Sequence, residues 1–231
     1  MVASLPTSPG VRSQKIAFAA NSASYSSPIT GSTQTAHRYG GRWVLEMELP
    51  PMTRYQSGQW LGVLAKANGV AGSIYAGPHN PKPVDFYDAT AHYKMTQSSS
   101  LDLDFIAGSY ALRWITAPSP LVNGATQTGA TLVTDGWGAM DGLNAGDWIC
   151  FENGTFRELH IVDADCFADA NGDMTIPVSP NIRRSPSDNA AVTIIAATGE
   201  FIAADNSQAV ESFDGQQNTR AITIKLQEFI R

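Results

Sequence analysis

From Ser100 onward the chain keeps returning to one pattern: a few residues that alternate or cluster apolar side chains, then a turn. The turns are Asn123-Gly124, Asp135-Gly136, Asn144-Ala145-Gly146-Asp147, Asn153-Gly154 and Asn171-Gly172. Asn, Asp and Gly tolerate the left-handed backbone that tight hairpin turns require. Strands this short, separated this often, cannot be the crossover strands of a doubly wound fold. They predict a mainly β chain of sandwich or barrel type. Candidate strands are 84–87, 100–106, 111–116, 131–134, 148–151, 158–162, 174–178 and 192–196, with 201–203 as an added edge strand.

The first third differs. Residues 1–14 are rich in Ser, Pro and Gly and read as a flexible arm. A short strand over 14–18 and a polar, turn-rich stretch over 21–32 follow. Trp43, Leu45, Met47 and Leu49 then share one face of a strand, with Arg42, Glu46 and Glu48 on the other, until Pro50-Pro51 ends it. Thr53 with Gln56 makes a capping box, so a helix is predicted over 54–67. Tyr55, Trp60, Leu61, Val63 and Leu64 form its apolar stripe, and Gly69 supplies the stop. Residues 72–77 return to strand, and Pro78-His79-Asn80-Pro81-Lys82-Pro83 is a stiff link at a candidate domain boundary. At the far end Ile222, Ile224 and Leu226 alternate with Thr223, Lys225 and Gln227, a terminal strand that needs a sheet to join.

Composition removes several functions. Of 231 residues 16% are charged, against about 25% in ordinary soluble domains, and the net charge is −6 without any Lys/Arg run. A chain built to grip nucleic acid carries a basic footprint instead. No stretch has the length of a signal-peptide core or the ~20 apolar residues of a membrane helix. Cys150 and Cys166 are too few for a disulfide scaffold and read as reduced core residues, a single bridge being the alternative.

Catalytic and metal patterns fail one by one. Asp169, Asn171 and Asp173 alternate like oxygen ligands of a Ca²⁺ loop, but Gly172 is misplaced and no bidentate Glu follows. A hairpin turn flanked by solvated acids is the better reading. His37, His79, His92 and His160 have no partner at ligand spacing. Asp102 and Asp104 share a strand face and could pair as acid and base, although a solvated face is commoner. Gly-x-Ser-x-Gly, P-loop and dinucleotide fingerprints are absent. The expectation is a non-enzymatic protein with no cofactor and no metal. Of the five tryptophans, Trp43 and Trp60 fit a core, and Trp137, in the turn Asp135-Gly136-Trp137-Gly138, is the best candidate for exposure and partner contact.

Two runs carry a resemblance. The first is Ser27-Pro28-Ile29-Thr30-Gly31, Gln34, Gly41-Arg42-Trp43, Leu49-Pro50-Pro51-Met52-Thr53-Arg54, Trp60, Gly69 and Gly72. The second is Val122-Asn123-Gly124-Ala125-Thr126-Gln127-Thr128-Gly129, Gly136-Trp137, Ala145-Gly146-Asp147-Trp148-Ile149, Asp169-Ala170-Asn171-Gly172 and Ile176-Pro177-Val178-Ser179-Pro180-Asn181-Ile182-Arg183. In that order they resemble the distal tail proteins of long-tailed, non-contractile phages and related gene-transfer particles, over most of residues 27–195. Residues 84–118 depart from the pattern.

The resemblance implies a β-sandwich or barrel hub domain with one α-helix, built from residues 1–84 and completed by 196–231. An inserted OB-like β-barrel would occupy 85–195. It further implies a homohexameric ring at the distal end of the virion tail, made in the bacterial host cytoplasm. That ring would meet the tail tube protein above and hub, baseplate or tape-measure proteins below, with DNA only passing through its channel and no membrane contact. Trp43, Pro51, Met52, Arg54 and Trp137 are the candidate interface residues. An acidic channel wall is the expectation from net charge. The competing readings are a carbohydrate- or receptor-binding module using Trp137, and a hydrolase using Asp102/Asp104 or the 163–173 acids.

Overall fold

A computed structural model describes residues 2–6, 9–36, 40–78, 85–88, 93–96, 102–106, 109–113, 119–138, 141–152, 156–206 and 221–230, with backbone alone for the four strands between 85 and 113. Among the described residues the chain is mainly β with a single α-helix. In order it forms β1 (Val2–Ser4), β2 (Ser13–Ala19), β3 (Ala23–Ser26), β4 (Thr33–Ala36), β5 (Arg42–Leu49), α1 (Arg54–Ala67) and β6 (Ser73–Ala76). There follow β7 (Asp85–Asp88), β8 (Tyr93–Thr96), β9 (Asp102–Ile106), β10 (Ser109–Arg113), β11 (Leu121–Val122), β12 (Gly129–Asp135) and β13 (Gly142–Leu143). The last are β14 (Trp148–Glu152), β15 (Arg157–Val162), β16 (Cys166–Phe167), β17 (Met174–Ile182), β18 (Val192–Thr193), β19 (Gly199–Ala203) and β20 (Ile222–Glu228). Two compact units result: residues 1–79 with 199–231, and residues 80–198 between them in sequence.

The first unit is a six-stranded sheet in the order β1-β6-β19-β20-β5-β2. The alternation of β5 holds: Trp43, Leu45, Met47 and Leu49 are buried in one row. Ile222, Ile224 and Leu226 of β20 extend that face, and Phe201 and Ile74 carry it to β19 and β6. At about 25 cal/mol per Å² of apolar area, such rows are what hold the sheet. Gln14 Nε2 donates to Gly77 O at 2.8 Å, tying β2 to the residue that follows β6. α1 begins on the expected capping box: Gln56 N donates to Thr53 Oγ1 and Thr53 N to Gln56 Oε1.

Five expectations need correction here. Within the arm 1–14, Val2–Ser4 pairs in parallel with β6 and buries Ala3. The stretch 21–32 holds β3 and leads into β4, a hairpin unsignalled by apolar alternation. The helix turns Ser57, Trp60 and Ala67 inward, while Tyr55 and Leu61 face out. Its left-handed cap is Asn68, at φ 51°, with Gly69 following at φ 63°. β19 is no edge strand: it lies between β6 and β20.

The second unit is a nearly closed six-stranded barrel, β11-β12-β17-β15-β14-β18. Val122 N to Ala190 O, Asn189 N to Val122 O and Val192 N to Pro120 O bring its two ends together. Leu132, Ile149, Phe151, Ile176 and Val178 fill it. Closure of this kind removes the free edges that make open sheets prone to aggregate. The Pro-rich link at 79–83 lies outside the described residues, as do His37, His79, His92 and Trp114 and the side chains of Asp102 and Asp104 on β9.

Candidate assembly surface

The β3–β4 hairpin is where sequence and cover disagree most. All eight of its strand residues are exposed. Its turn is tied by Gly31 N to Ser27 O and Ser27 N to Ser32 O, both 2.9 Å, and Gly31 takes φ 66° there. Tyr25 is 66% exposed and Ile29, in the turn, 92%. A two-stranded hairpin without an apolar face to bury is marginal by itself. It leads from β2, an edge strand whose single described partner is β5. On β2, Phe18 sits edge-on to Trp43 with centroids 5.2 Å apart and stays 43% exposed. Hairpin and edge strand together leave Phe18, Tyr25 and Ile29 exposed, apolar groups that another chain can cover.

The five candidate interface residues divide by burial. Pro51 and Arg54 are exposed at the start of α1. Trp43 and Met52 are core residues, 7% and 2% exposed. Trp137, which its turn position assigns to the surface, is 6% exposed inside the barrel. The reason is chemical. Its Nε1 donates to Thr134 Oγ1 at 2.8 Å, and Thr134 Oγ1 donates on to Met174 O at 3.0 Å, so the indole's polar atom is satisfied indoors. A glycan platform built on Trp137 is therefore excluded.

The other turn residues are frame too. Gln127 Nε2 faces Asn123 O, Gly124 O and Val133 O at 2.8–3.1 Å, and its Oε1 accepts from Val133 N, pinning the turn to β12. Trp137 N donates to Gly172 O, and a Cβ on Gly172 would lie 2.4 Å from Trp137 O. Asp147 Oδ2 accepts from Asn144 N and Asp165 Oδ1 from Ala145 N. In the acidic turn, Asp169 Oδ1 accepts from Asn171 N and Asp173 N, and these bonds hold its carboxyl below the ordinary range. A carboxylate turned to its own backbone is a turn-former. No group of three or more potential ligands that could hold a metal occurs among the described residues.

The remaining reactive groups are inward. Cys150 and Cys166 are free and buried; burial raises both thiols, Cys166 to about 11, with Asp147 and Asp165 adding to the latter. Such thiols are poor nucleophiles. His160, fully buried, stacks on Phe151, with Nδ1 2.8 Å from Pro180 O and Nε2 3.4 Å from Glu158 Oε2. It fixes β15 to β17 inside the barrel wall. No helix among the described residues is long and apolar enough to cross a membrane.

No family model matches this chain, and no curated protein matches it.

Proposed function

We propose that this chain is a structural component of a phage tail tip, six copies of which close into a ring between tail tube and hub and leave a channel for DNA. The resemblance of the 27–72 and 122–183 runs to distal tail proteins suggests the reading. The observation that carries it is the exposed β3–β4 hairpin that leads from β2, a strand at the edge of its sheet among the described residues. An exposed hairpin leading from an edge strand offers one face of the heterologous, head-to-tail contact from which a ring closes by rotation. Strand addition at such an edge supplies main-chain hydrogen bonds, and Phe18, Tyr25 and Ile29 supply apolar area. The buried thiols and backbone-bound aspartates fit a mechanical role better than a chemical one.

The test is particle mass and shape. Light scattering and electron microscopy of the full chain, alone and with tail-tube protein, should give a closed ring. Deleting residues 23–36 should leave a folded monomer. A ring that survives this deletion, or a chain that stays monomeric even beside tube protein, refutes the proposal.

A further inference from the structure

The chain's acidity is not evenly shared. Residues 1–79 with 199–231 carry nine Lys/Arg against seven Asp/Glu, or +2, whereas 80–198 carry six against fourteen, or −8, which together make the −6 of the chain. The net charge of the chain therefore does not describe the first unit and its six-stranded sheet.

On that sheet's polar face the strand registers build cross-strand rows. Lys15, Glu46 and Lys225 lie abreast on β2, β5 and β20, and Ser13, Glu48 and Thr223 form the next row. Lys225 Nζ is 3.5 Å from Glu46 Oε1; Arg12 Nη1 is 3.4 Å from Glu48 Oε1, which shares its carboxylate with Ser13 Oγ. Arg42, at the end of β5, donates to Gln227 Oε1. Among the described residues, four bases thus stand against two partly exposed carboxylates on these three strands. The bases are the outer layer: Arg12 and Lys225 side chains are 62% and 59% exposed, Glu48 and Glu46 39% and 41%. Glu200, on the same face of β19, is buried and accepts from Ser73 Oγ.

The geometry points to this face of β2–β5–β20 as a surface that meets the phosphate backbone of DNA; it rests on the tail-tip reading above and names the surface on which DNA runs. A stable protein interface is poor in Lys and Glu at its centre and rich in aromatic groups, which describes the hairpin and the β2 edge and not this face. Short side chains lie between the charges (Ser13, Ala17, Thr223). Bases on the outside attract phosphate, and carboxylates interleaved beneath limit how tightly it is held. The result is contact that is weak, independent of sequence and steeply dependent on salt.

Full-length protein titrated into a labelled random-sequence duplex, with fluorescence anisotropy read across a salt series, tests this. Low-salt binding is expected, with a log–log salt slope of about −3 to −4 for four bases. Lys15→Glu/Lys225→Glu should weaken it by about tenfold or more, and Glu46→Gln/Glu48→Gln should strengthen it. Arg12→Glu/Arg42→Glu serves where the lysine pair lowers the melting temperature. No binding at low salt, wild-type affinity in the folded base variants, or variants that change self-association instead, overturns the inference. Failure of the ring reading registers in particle mass and leaves the anisotropy result standing.

Discussion

Replacing Gln127 by alanine tests whether the turn residues of the second unit are frame. The side chain is half-buried, and its amide nitrogen faces three backbone carbonyls, those of Asn123, Gly124 and Val133. Two amide hydrogens can serve those three acceptors, one of them shared, and Oε1 accepts from Val133 N at 2.6 Å. Truncation therefore removes about three net hydrogen bonds at about 0.5–1.5 kcal/mol each. Since water reaches part of the site, about 2 kcal/mol is the expected loss. Gln127→Glu keeps the acceptor for Val133 but turns a carboxylate oxygen toward the carbonyls, so it should cost at least as much. Urea denaturation and hydrogen exchange report it: the midpoint for the 80–198 unit falls, and the Val133 amide exchanges more than about tenfold faster. A Val133 amide exchanging at the wild-type rate in Gln127→Ala, with an unchanged midpoint, would refute the reasoning.

Three further outcomes follow from the same geometry. Gly58→Ala and Gly62→Ala in α1 meet open space, so each should stabilise the protomer by up to about 1 kcal/mol, seen as a higher melting temperature of the first unit. Gly172→Ala should destabilise the second unit by more than about 1–3 kcal/mol, because φ is +86° and the new Cβ meets Trp137 O; an unchanged denaturation midpoint would show that the 169–173 turn does not hold Trp137. Asp169, whose carboxyl is depressed in the fold, contributes stability present above the ordinary carboxylate range and lost as pH falls through its folded value. Asp169→Asn should flatten that part of the acid-denaturation profile, and an unaltered profile would assign the acid dependence elsewhere.

Local physics was readable wherever the deciding interaction lies within a few residues in sequence. The period-two rows of β5 and β20, the Thr53/Gln56 capping box and the Gly172 turn are of that kind, and each stands where its residues indicate. The mainly β class follows from them. Most of what failed depended on partners far along the chain or on a hairpin with no buried face. Trp137 looked exposed because it follows a turn, yet Thr134 and, through it, the carbonyl of Met174 give its indole an interior place. Phe201–Ala203 looked like an edge because β20, which flanks it, begins some twenty residues later. β3 and β4 are written in Ser, Thr, Gln and Ala, so no buried face marks them, and their register comes from cross-strand backbone pairing.

The sequence by itself determined that this chain would be strands and turns with one capped helix, since alternation, proline and left-handed turn residues act over single turns of backbone. Which side chains are inside and which strands lie at a sheet's edge were decided only by tertiary structure. Burial and pairing are properties of the surface that distant segments cover or leave bare, and only closing the sheets assigns them.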